Sequence, residues 1–105
     1  MWNPPSPELL NQVPRLYATE RIPVKEKVIH LHFFIGGCDW YVAEYDGDDL
    51  FFGYAVLDDD FHNAEWGYFT LSELKDINIH GLEIDRDLYW KPTQAKEIER
   101  IKDWL

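Results

Sequence analysis

Apolar and polar residues alternate along the middle of the chain, and this pattern predicts four consecutive β-strands. Successive side chains of a strand point to opposite faces, so the odd-numbered residues from Ile29 to Ile35 would share one face. By the same rule Tyr41, Ala43 and Tyr45 would share a face of the second strand. The predicted strands span residues 27–35, 39–46, 50–57 and 65–69, with turns at Gly36-Gly37 and Asp46-Gly47.

Three helices are predicted around these strands. Ser6 before Pro7 is typical of a helix start, because serine caps the first turn and proline suits the first helical position. Thr70 with Glu73 three residues later has the spacing of a capping box. A terminal helix is predicted to begin at Pro92-Thr93, because the apolar residues after it fall near helical spacing. These apolar residues are Ala95, Ile98, Ile101, Trp104 and Leu105.

These elements predict an α+β fold. The expected architecture is an antiparallel sheet of four to five strands in a meander, packed with two to three helices. A fifth, short strand would lie within residues 82–90. A chain of 105 residues has the length of one domain, so residues 1–105 are expected to form a single domain with an extended segment at 1–7.

Four segments of the chain, taken in order, resemble one known family. They are residues 16–20, residues 40–46 continuing to 51–53, residues 67–74 and residues 81–90, with the sequences LYATE, WYVAEYD…FFG, GYFTLSEL and GLEIDRDLYW. Together they are similar to the bacterial family catalogued as domain of unknown function 2958, over most of residues 9 to 92. The resemblance implies a bacterial protein that is often encoded on mobile genetic elements. It implies no established activity and no catalytic residues.

Positive charge is absent from the middle of the chain. No Lys or Arg occurs in the 47 residues from Val28 to Leu74, and ten of the twenty acidic residues lie there. The flanks hold ten acids and ten bases, so the net charge of −10 comes from the middle. A field of this kind affects solubility and the choice of partner rather than the fold.

The charge and composition also limit location and partners. An acidic surface repels phosphate groups, which argues against direct binding to nucleic acid or to an anionic membrane face. No apolar run approaches the ~18 residues of a membrane-spanning helix, and the first residues lack the pattern of a signal peptide. Cys38 is the single cysteine, which excludes an internal disulfide and fits a reducing compartment. We therefore expect a cytoplasmic location.

A two-histidine metal site is one candidate for chemistry. His30 and His32 lie two residues apart on a predicted strand and would point to the same side. Glu44 or Asp46 on the neighbouring strand would add a carboxylate, and two histidines with one carboxylate bind zinc or iron. The competing interpretation is a pair of polar residues on a solvent-facing strand. We favour it, because closed metal sites show tighter sequence signatures, and we predict no cofactor.

Other catalytic arrangements are weakly indicated. Asp85 and Asp87 flank Arg86, a pattern that favours an ion pair over a pair of catalytic carboxylates. Cys38 follows a glycine turn, but acidic surroundings disfavour a reactive thiolate. The chain has no nucleophile elbow, phosphate-binding glycine loop or dinucleotide fingerprint. The sequence therefore favours a protein without enzymatic activity, and a small enzyme with a His–carboxylate site is the alternative.

Aromatic residues accompany the acids in the middle of the chain. Twelve of the seventeen aromatic residues fall within residues 28–74. Because both faces of the predicted meander are aromatic, we expect one face to be partly exposed as a protein interface.

The favoured function is binding to a protein with a basic surface through this acidic, aromatic middle. In its sharpest form the chain is a polyanion mimic, with Glu44, Asp46 and Asp48 in a row at intervals of ~6.7 Å that imitates nucleic acid. A plain structural subunit is a further alternative. The residues predicted to bind the partner are Glu44, Asp46, Asp48, Asp49, Asp58, Asp59 and Asp60.

Overall fold

The computed structural model describes residues 2–105, and Met1 lies outside the described residues. The strands are β1 (Val28–Ile29), β2 (Leu31–Ile35), β3 (Cys38–Tyr45), β4 (Leu50–Val56), β5 (Glu65–Thr70), β6 (Asn78–Ile79), β7 (Leu82–Glu83), β8 (Asp85–Arg86) and β9 (Thr93–Gln94). The α-helices are α1 (Pro7–Asn11) and α2 (Leu71–Asp76), and short 3-10 helices span Val24–Glu26, Phe61–Asn63 and Ala95–Glu97.

The centre of the fold is a five-stranded sheet in the order β5-β4-β3-β2-β8, in which every neighbouring pair is antiparallel. Its strands β2 to β5 follow one another along the chain, so the predicted meander is confirmed, as is the α+β class. Two small ladders, β1 with β9 and β6 with β7, lie outside this sheet. Within residues 2–105 no helix is both long enough and apolar enough to cross a membrane.

Both α-helices begin where the sequence predicts. The hydroxyl of Ser6 accepts a hydrogen bond from the Leu9 N–H at 3.2 Å, and Pro7 occupies the first helical position. The hydroxyl of Thr70 accepts from the Glu73 N–H at 3.1 Å and donates to the Glu73 carboxylate at 2.9 Å. Two side-chain contacts therefore fix the start of α2 directly after the edge strand β5.

Each face of the central sheet carries a buried cluster. The first cluster packs under the α-helices and contains Val13, Leu31, Phe33, Ile35, Cys38, Trp40, Val42, Tyr45, Phe51, Phe69, Leu74 and Ile84. The second packs under the C-terminal segment and contains Ile29, Tyr41, Ala43, Tyr54, Val56, Ala95, Ile98 and Ile101. Aromatic residues on both faces are thus explained by two-sided burial, and the expectation of one partly exposed face is wrong for the centre of the sheet.

The predicted alternation fails at two positions in the first two strands. The N–H of His30 donates to the Val42 carbonyl at 2.8 Å between β1 and β2, and Ile29 packs in the cluster opposite to that of Leu31. A β-bulge between Val42 and Glu44 likewise moves Tyr45 to the face opposite Tyr41. One extra residue in a strand reverses every side chain after it, which a period-two pattern does not anticipate.

The predicted terminal helix is wrong. Thr93–Gln94 forms β9 and pairs with β1, and the N–H of Ala95 donates to the Lys27 carbonyl at 2.9 Å. These ladder bonds hold the chain extended where the helix would begin. The segment continues as turns that repeat every three residues, so Ala95, Ile98 and Ile101 are still buried. Trp104 lies at the surface against Phe61, with ring centroids 5.3 Å apart.

Gly53 and Gly67 face each other across β4 and β5 but differ in the space around them. A Cβ on Gly53 would lie 1.8 Å from the Tyr41 carbonyl oxygen, whereas a Cβ on Gly67 would meet nothing within 4 Å. We expect Gly53→Ala to lower the free energy of unfolding by about 3 kcal/mol, because the backbone of β3 would have to move. The matched variant Gly67→Ala should change it by less than about 1 kcal/mol. Urea denaturation of both variants checks this, and equal effects would contradict it.

Candidate functional site

The predicted row of acids does not form. Glu44 is buried and only 4% exposed, whereas Asp46 and Asp48 lie in the turn between β3 and β4. The carboxylate of Asp46 accepts hydrogen bonds from the N–H groups of Asp48, Asp49 and Leu50 at 2.8–3.0 Å. These backbone bonds lower the pKa of Asp46. The first acid of the row is thus inside the domain, and the second stabilises a turn.

The remaining predicted acids lie at opposite ends of β4. Asp46, Asp48 and Asp49 precede this strand, and residues 58–60 follow it. A strand of this length spans roughly 20 Å, so the two groups do not form one patch. Several also have structural contacts: Asp49 accepts from Ser72 at 2.6 and 2.8 Å, and Asp60 accepts from Asn63. Partner binding by these seven residues stays a prediction.

A cleft of about 380 Å³ with largely apolar walls lies at the surface beside β4 and β5. We call it the Tyr68 cleft. One side is the sheet, through Phe52 and Tyr68, and the other side is the irregular segment before β1. Its lining residues are Tyr17, Glu20, Ile22, Pro23, Val24, Lys27, Glu44, Phe52 and Tyr68.

Glu44 holds the outer side of this cleft in place. Its carboxylate accepts hydrogen bonds from the N–H groups of Tyr17 and Thr19, both at 3.0 Å, and from the hydroxyl of Thr19. Tyr17 adopts a left-handed backbone conformation with φ 69°, which is unfavourable for a residue with a side chain. The carboxylate therefore stabilises a strained turn, and that turn positions the Tyr17 ring at the rim.

Lys27 completes this arrangement at the bottom of the cleft. Its ammonium group donates to the Thr19 carbonyl at 2.5 Å and to the Thr19 hydroxyl at 2.8 Å, and it lies 3.8 Å from the Glu44 carboxylate. Both ionic side chains are about 5% exposed. A buried ion pair with hydrogen bonds of this kind serves the fold, and it offers little free charge to a ligand.

The rim of the cleft is apolar and accessible. Tyr17 is 64% exposed, Tyr68 55%, Ile22 42% and Val24 39%. A hydrogen bond with Tyr17, together with desolvation, raises the pKa of Tyr68, so the Tyr68 phenol is neutral near pH 7 and can donate a hydrogen bond. The surface is suited to apolar and aromatic contact with a few hydrogen bonds.

A second, more open cavity of about 470 Å³ surrounds His32. His32 Nε2 lies 2.8 Å from Asp39 Oδ1, and Arg100 donates through Nε to Asp39 Oδ2 at 2.6 Å. Arg100 also donates to Asp59 at 2.5 Å, and the imidazole stacks on Tyr41 with ring centroids 4.5 Å apart. The cluster joins β2 and β3 to the C-terminal segment.

The alternative metal set of His30, His32 and a carboxylate from Glu44 or Asp46 is not assembled. Within residues 2–105 no group of three or more His, Cys, Asp and Glu side chains could hold a metal ion. His32 contacts Asp39 and lies 3.8 Å from Asp87, rather than joining His30 with Glu44 or Asp46. The reason is that His30 sits at the break between β1 and β2, while the Glu44 carboxylate is bound to Thr19 and Tyr17.

The fold and the cleft define a small α+β protein with an apolar site at one edge of its sheet. The chain belongs to the family described as "Protein of unknown function (DUF2958)", whose model matches residues 9–99, so the resemblance predicted from four segments is confirmed. No curated protein and no solved structure matches the chain.

Three of the four segments that carry this resemblance meet in the Tyr68 cleft. Tyr17 and Glu20 come from the first segment, Glu44 and Phe52 from the second, and Tyr68 from the third. The site prediction from the distribution of acidic residues did not include Tyr17, Phe52 or Tyr68. Their positions within the segments that resemble the family were the sequence signal that could have identified them. The fourth segment contributes Asp87 to the His32 cavity.

Removal of the Glu44 carboxylate tests its role in positioning the outer side of the cleft. We expect Glu44→Ala to lower the free energy of unfolding by about 3 kcal/mol or more, because Lys27 would remain buried without its counter-charge. Glu20→Ala is the matched control, since Glu20 is an exposed acid of the same cleft and its loss should cost less than about 0.5 kcal/mol. Chemical denaturation measures both, and a small effect at Glu44 would contradict the assigned role.

The environment of Asp39 leads us to expect that the stability of the protein depends on pH in acid. Burial alone would raise the pKa of Asp39, but hydrogen bonds and charges from His32 and Arg100 outweigh burial and lower it. The folded state holds the pKa of Asp39 below its unfolded value of about 3.9. The ionised Asp39 carboxylate therefore adds to the free energy of unfolding above about pH 4, and this stabilisation is lost as the pH falls further. The stability difference between wild type and Asp39→Asn should therefore shrink in acid, as urea titrations across this range would show. A difference that grows in acid would contradict it.

Proposed function

We propose that this protein is a non-enzymatic accessory protein that binds a segment of a basic protein in the Tyr68 cleft. The observation that carries the proposal is the contrast within the cleft between satisfied charges and exposed apolar side chains. Lys27 and Glu44 bind each other and Thr19, whereas Tyr17 and Tyr68 present their rings to solvent.

Exposed aromatic rings around a preformed cleft are suited to protein recognition. Tyrosine supplies a large, rigid contact area and a hydroxyl for hydrogen bonding, so it is enriched at interfaces. Isolated apolar residues on a surface are ordinary, but four exposed ones around a cleft of about 380 Å³ form a continuous contact area. An apolar side chain of a partner would fit between Phe52 and the segment before β1.

The charge of the chain selects the kind of partner. Each internal ion pair, such as Lys27 with Glu44 or Arg100 with Asp39, removes one charge of each sign and leaves the net charge of −10 unchanged. The excess of carboxylates therefore attracts cationic surfaces and repels both nucleic acid and a second copy of the chain. A basic protein segment is the partner that this field favours.

Polyanion mimicry is a narrower version of the same proposal and has less geometric support. Duplex DNA presents a charge every ~3.4 Å along each strand. Here Glu44 is buried, and the acids before and after β4 are separated by the length of that strand. The proposal therefore centres on the Tyr68 cleft, with the acids as a long-range attraction.

The enzyme alternative would depend on His32. Its Nδ1 atom is buried and has no hydrogen-bond partner within the described residues, with Asp87 Oδ2 at 3.8 Å. A general base has to reach the proton that it removes, and a buried nitrogen behind a carboxylate is poorly placed for this. The ties to Asp39 and Arg100 favour a structural role for this cluster.

Substitution of Tyr68 tests the proposed function. A partner captured from a lysate of the source cells and then purified should bind Tyr68→Ala about tenfold or more weakly than wild type, as expected of an aromatic anchor. Tyr89→Ala is the matched control, because Tyr89 is 91% exposed and lies outside the cleft. The affinity of the Tyr89→Ala variant for the partner should equal that of wild type within about twofold.

Ionic strength separates the electrostatic part of the same interaction. Wild-type affinity, measured by titration calorimetry, should fall between about 0.05 and 0.5 M NaCl because the net charge is screened. Equal affinities of Tyr68→Ala and Tyr89→Ala would refute binding at the cleft, and affinity independent of salt would refute the basic partner.

A further inference from the structure

The open edge of the central sheet indicates how the partner segment binds. We infer that a basic, extended segment of the partner adds to β5 as a sixth strand of the sheet, an inference that rests on the proposed function. In the sheet order β5-β4-β3-β2-β8, β5 is an end strand and pairs only with β4 within the described residues. An end strand presents unpaired N–H and C=O groups that can bind another chain.

The hydrogen-bond register shows which backbone groups of β5 are free. The Leu71 N–H donates to the Asp49 carbonyl at 2.9 Å, one residue beyond the pair Leu50 and Thr70. Bonded and non-bonded pairs alternate along an antiparallel ladder, so Phe69, Gly67 and Glu65 bond to β4. The N–H and C=O groups of the residues between them therefore point away from β4. These residues are Trp66 and Tyr68.

The neighbouring ladder gives the same register. The Asp46 N–H donates to the Leu50 carbonyl at 2.9 Å, so the backbone of Leu50 points to β3. By alternation Phe52 also bonds to β3, while Phe51 and Gly53 point to β5. This agrees with the bonded pairs of Phe51 with Phe69 and of Gly53 with Gly67. Two independent hydrogen bonds thus place Trp66 and Tyr68 on the open edge.

Each face of the sheet has a depression beside this edge. On the face of Phe52 and Tyr68 it is the Tyr68 cleft. On the opposite face, Gly53 and Gly67 line a trough of about 260 Å³ together with Trp40, Leu57 and Phe69, which we call the glycine trough. Side chains of an added strand alternate between the two faces, so successive residues would enter the cleft and the trough in turn.

Charge identifies the occupant of this edge. Glu65 is exposed at the start of β5, and Asp58 and Asp60 line the adjoining surface depression together with Glu65. A second copy of the chain would bring its own Glu65 and ten excess negative charges to the same place. A strand with apolar residues for the cleft and trough and with flanking Lys or Arg meets both requirements.

Amide hydrogen exchange of the full chain distinguishes strand addition from other modes of binding. The probe is a peptide of about ten residues with a central run of valines flanked by lysines at both ends, long enough to cover the six residues of β5. With saturating peptide the amides of Trp66 and Tyr68 should exchange at least about tenfold more slowly, because they gain hydrogen bonds. The amides of Gly67 and Phe69, which already bond to β4, should change much less.

A matched pair of variants tests the glycine trough. Gly67→Lys places a positive side chain in open space on the edge strand, and it should weaken peptide binding about tenfold or more by repulsion and by filling the trough. Gly67→Ala adds only a methyl group and should keep the affinity within about threefold. Equal affinity of the two variants would contradict strand addition at this edge, as would a Gly67→Lys variant that is folded and binds normally.

The outcomes separate the two proposals. Peptide binding that perturbs the Tyr68 side chain without the alternating amide protection would overturn strand addition and leave the proposed function standing. Failure of the basic peptide to bind at low salt would overturn both. Protection of the Trp66 and Tyr68 amides that rises with protein concentration, without peptide, would identify a second copy as the occupant and would overturn the inference.

Discussion

The carboxylate of Glu44 lies inside the domain and accepts hydrogen bonds from the N–H groups of Tyr17 and Thr19 and from the Thr19 hydroxyl. It also lies 3.8 Å from the Lys27 ammonium group. A charge taken out of water requires this many partners, because each unsatisfied polar group in the interior costs free energy. These contacts hold the segment before β1 against the sheet. The Tyr68 cleft is the space between that segment and the sheet. The accessible rings at its rim therefore depend on a buried carboxylate whose charge is already satisfied within the domain.

The β-bulge in β3 is what makes this contact compatible with the core. It lies between Val42 and Glu44 and moves Tyr45 onto the face of Phe51, where the rings are 5.1 Å apart. The Tyr45 N–H then donates to the Pro14 carbonyl at 2.8 Å, which brings the chain before the cleft alongside β3. Bulges commonly redirect a side chain next to a functional site, and here the bulge lies beside the buried carboxylate that anchors the cleft.

Local signals predicted the parts of this fold that depend on neighbouring residues. Ser6 and Thr70 cap the helices as expected, and Asp46-Gly47 makes the hairpin turn, because each of these acts within three or four residues. The failures were non-local. Pairing of β9 with β1 replaced the terminal helix, and the pairing of Lys27 with Glu44, seventeen residues later, turned a predicted surface acid into an internal one. The sequence determines the net charge, but which carboxylates are exposed to solvent depends on the fold.

Net charge and the open edge of β5 are the two features on which the proposed binding mode depends. Strands at the edge of a sheet are usually protected against self-association by lysine, proline or a bulge, and β5 has neither lysine nor proline. A net charge of −10 on each copy supplies protection of another kind, since two copies repel while the edge stays geometrically open. The repulsion does not act on a cationic chain, which is the partner proposed above. In the proposed binding mode, the same excess of carboxylates favours a cationic strand at this edge.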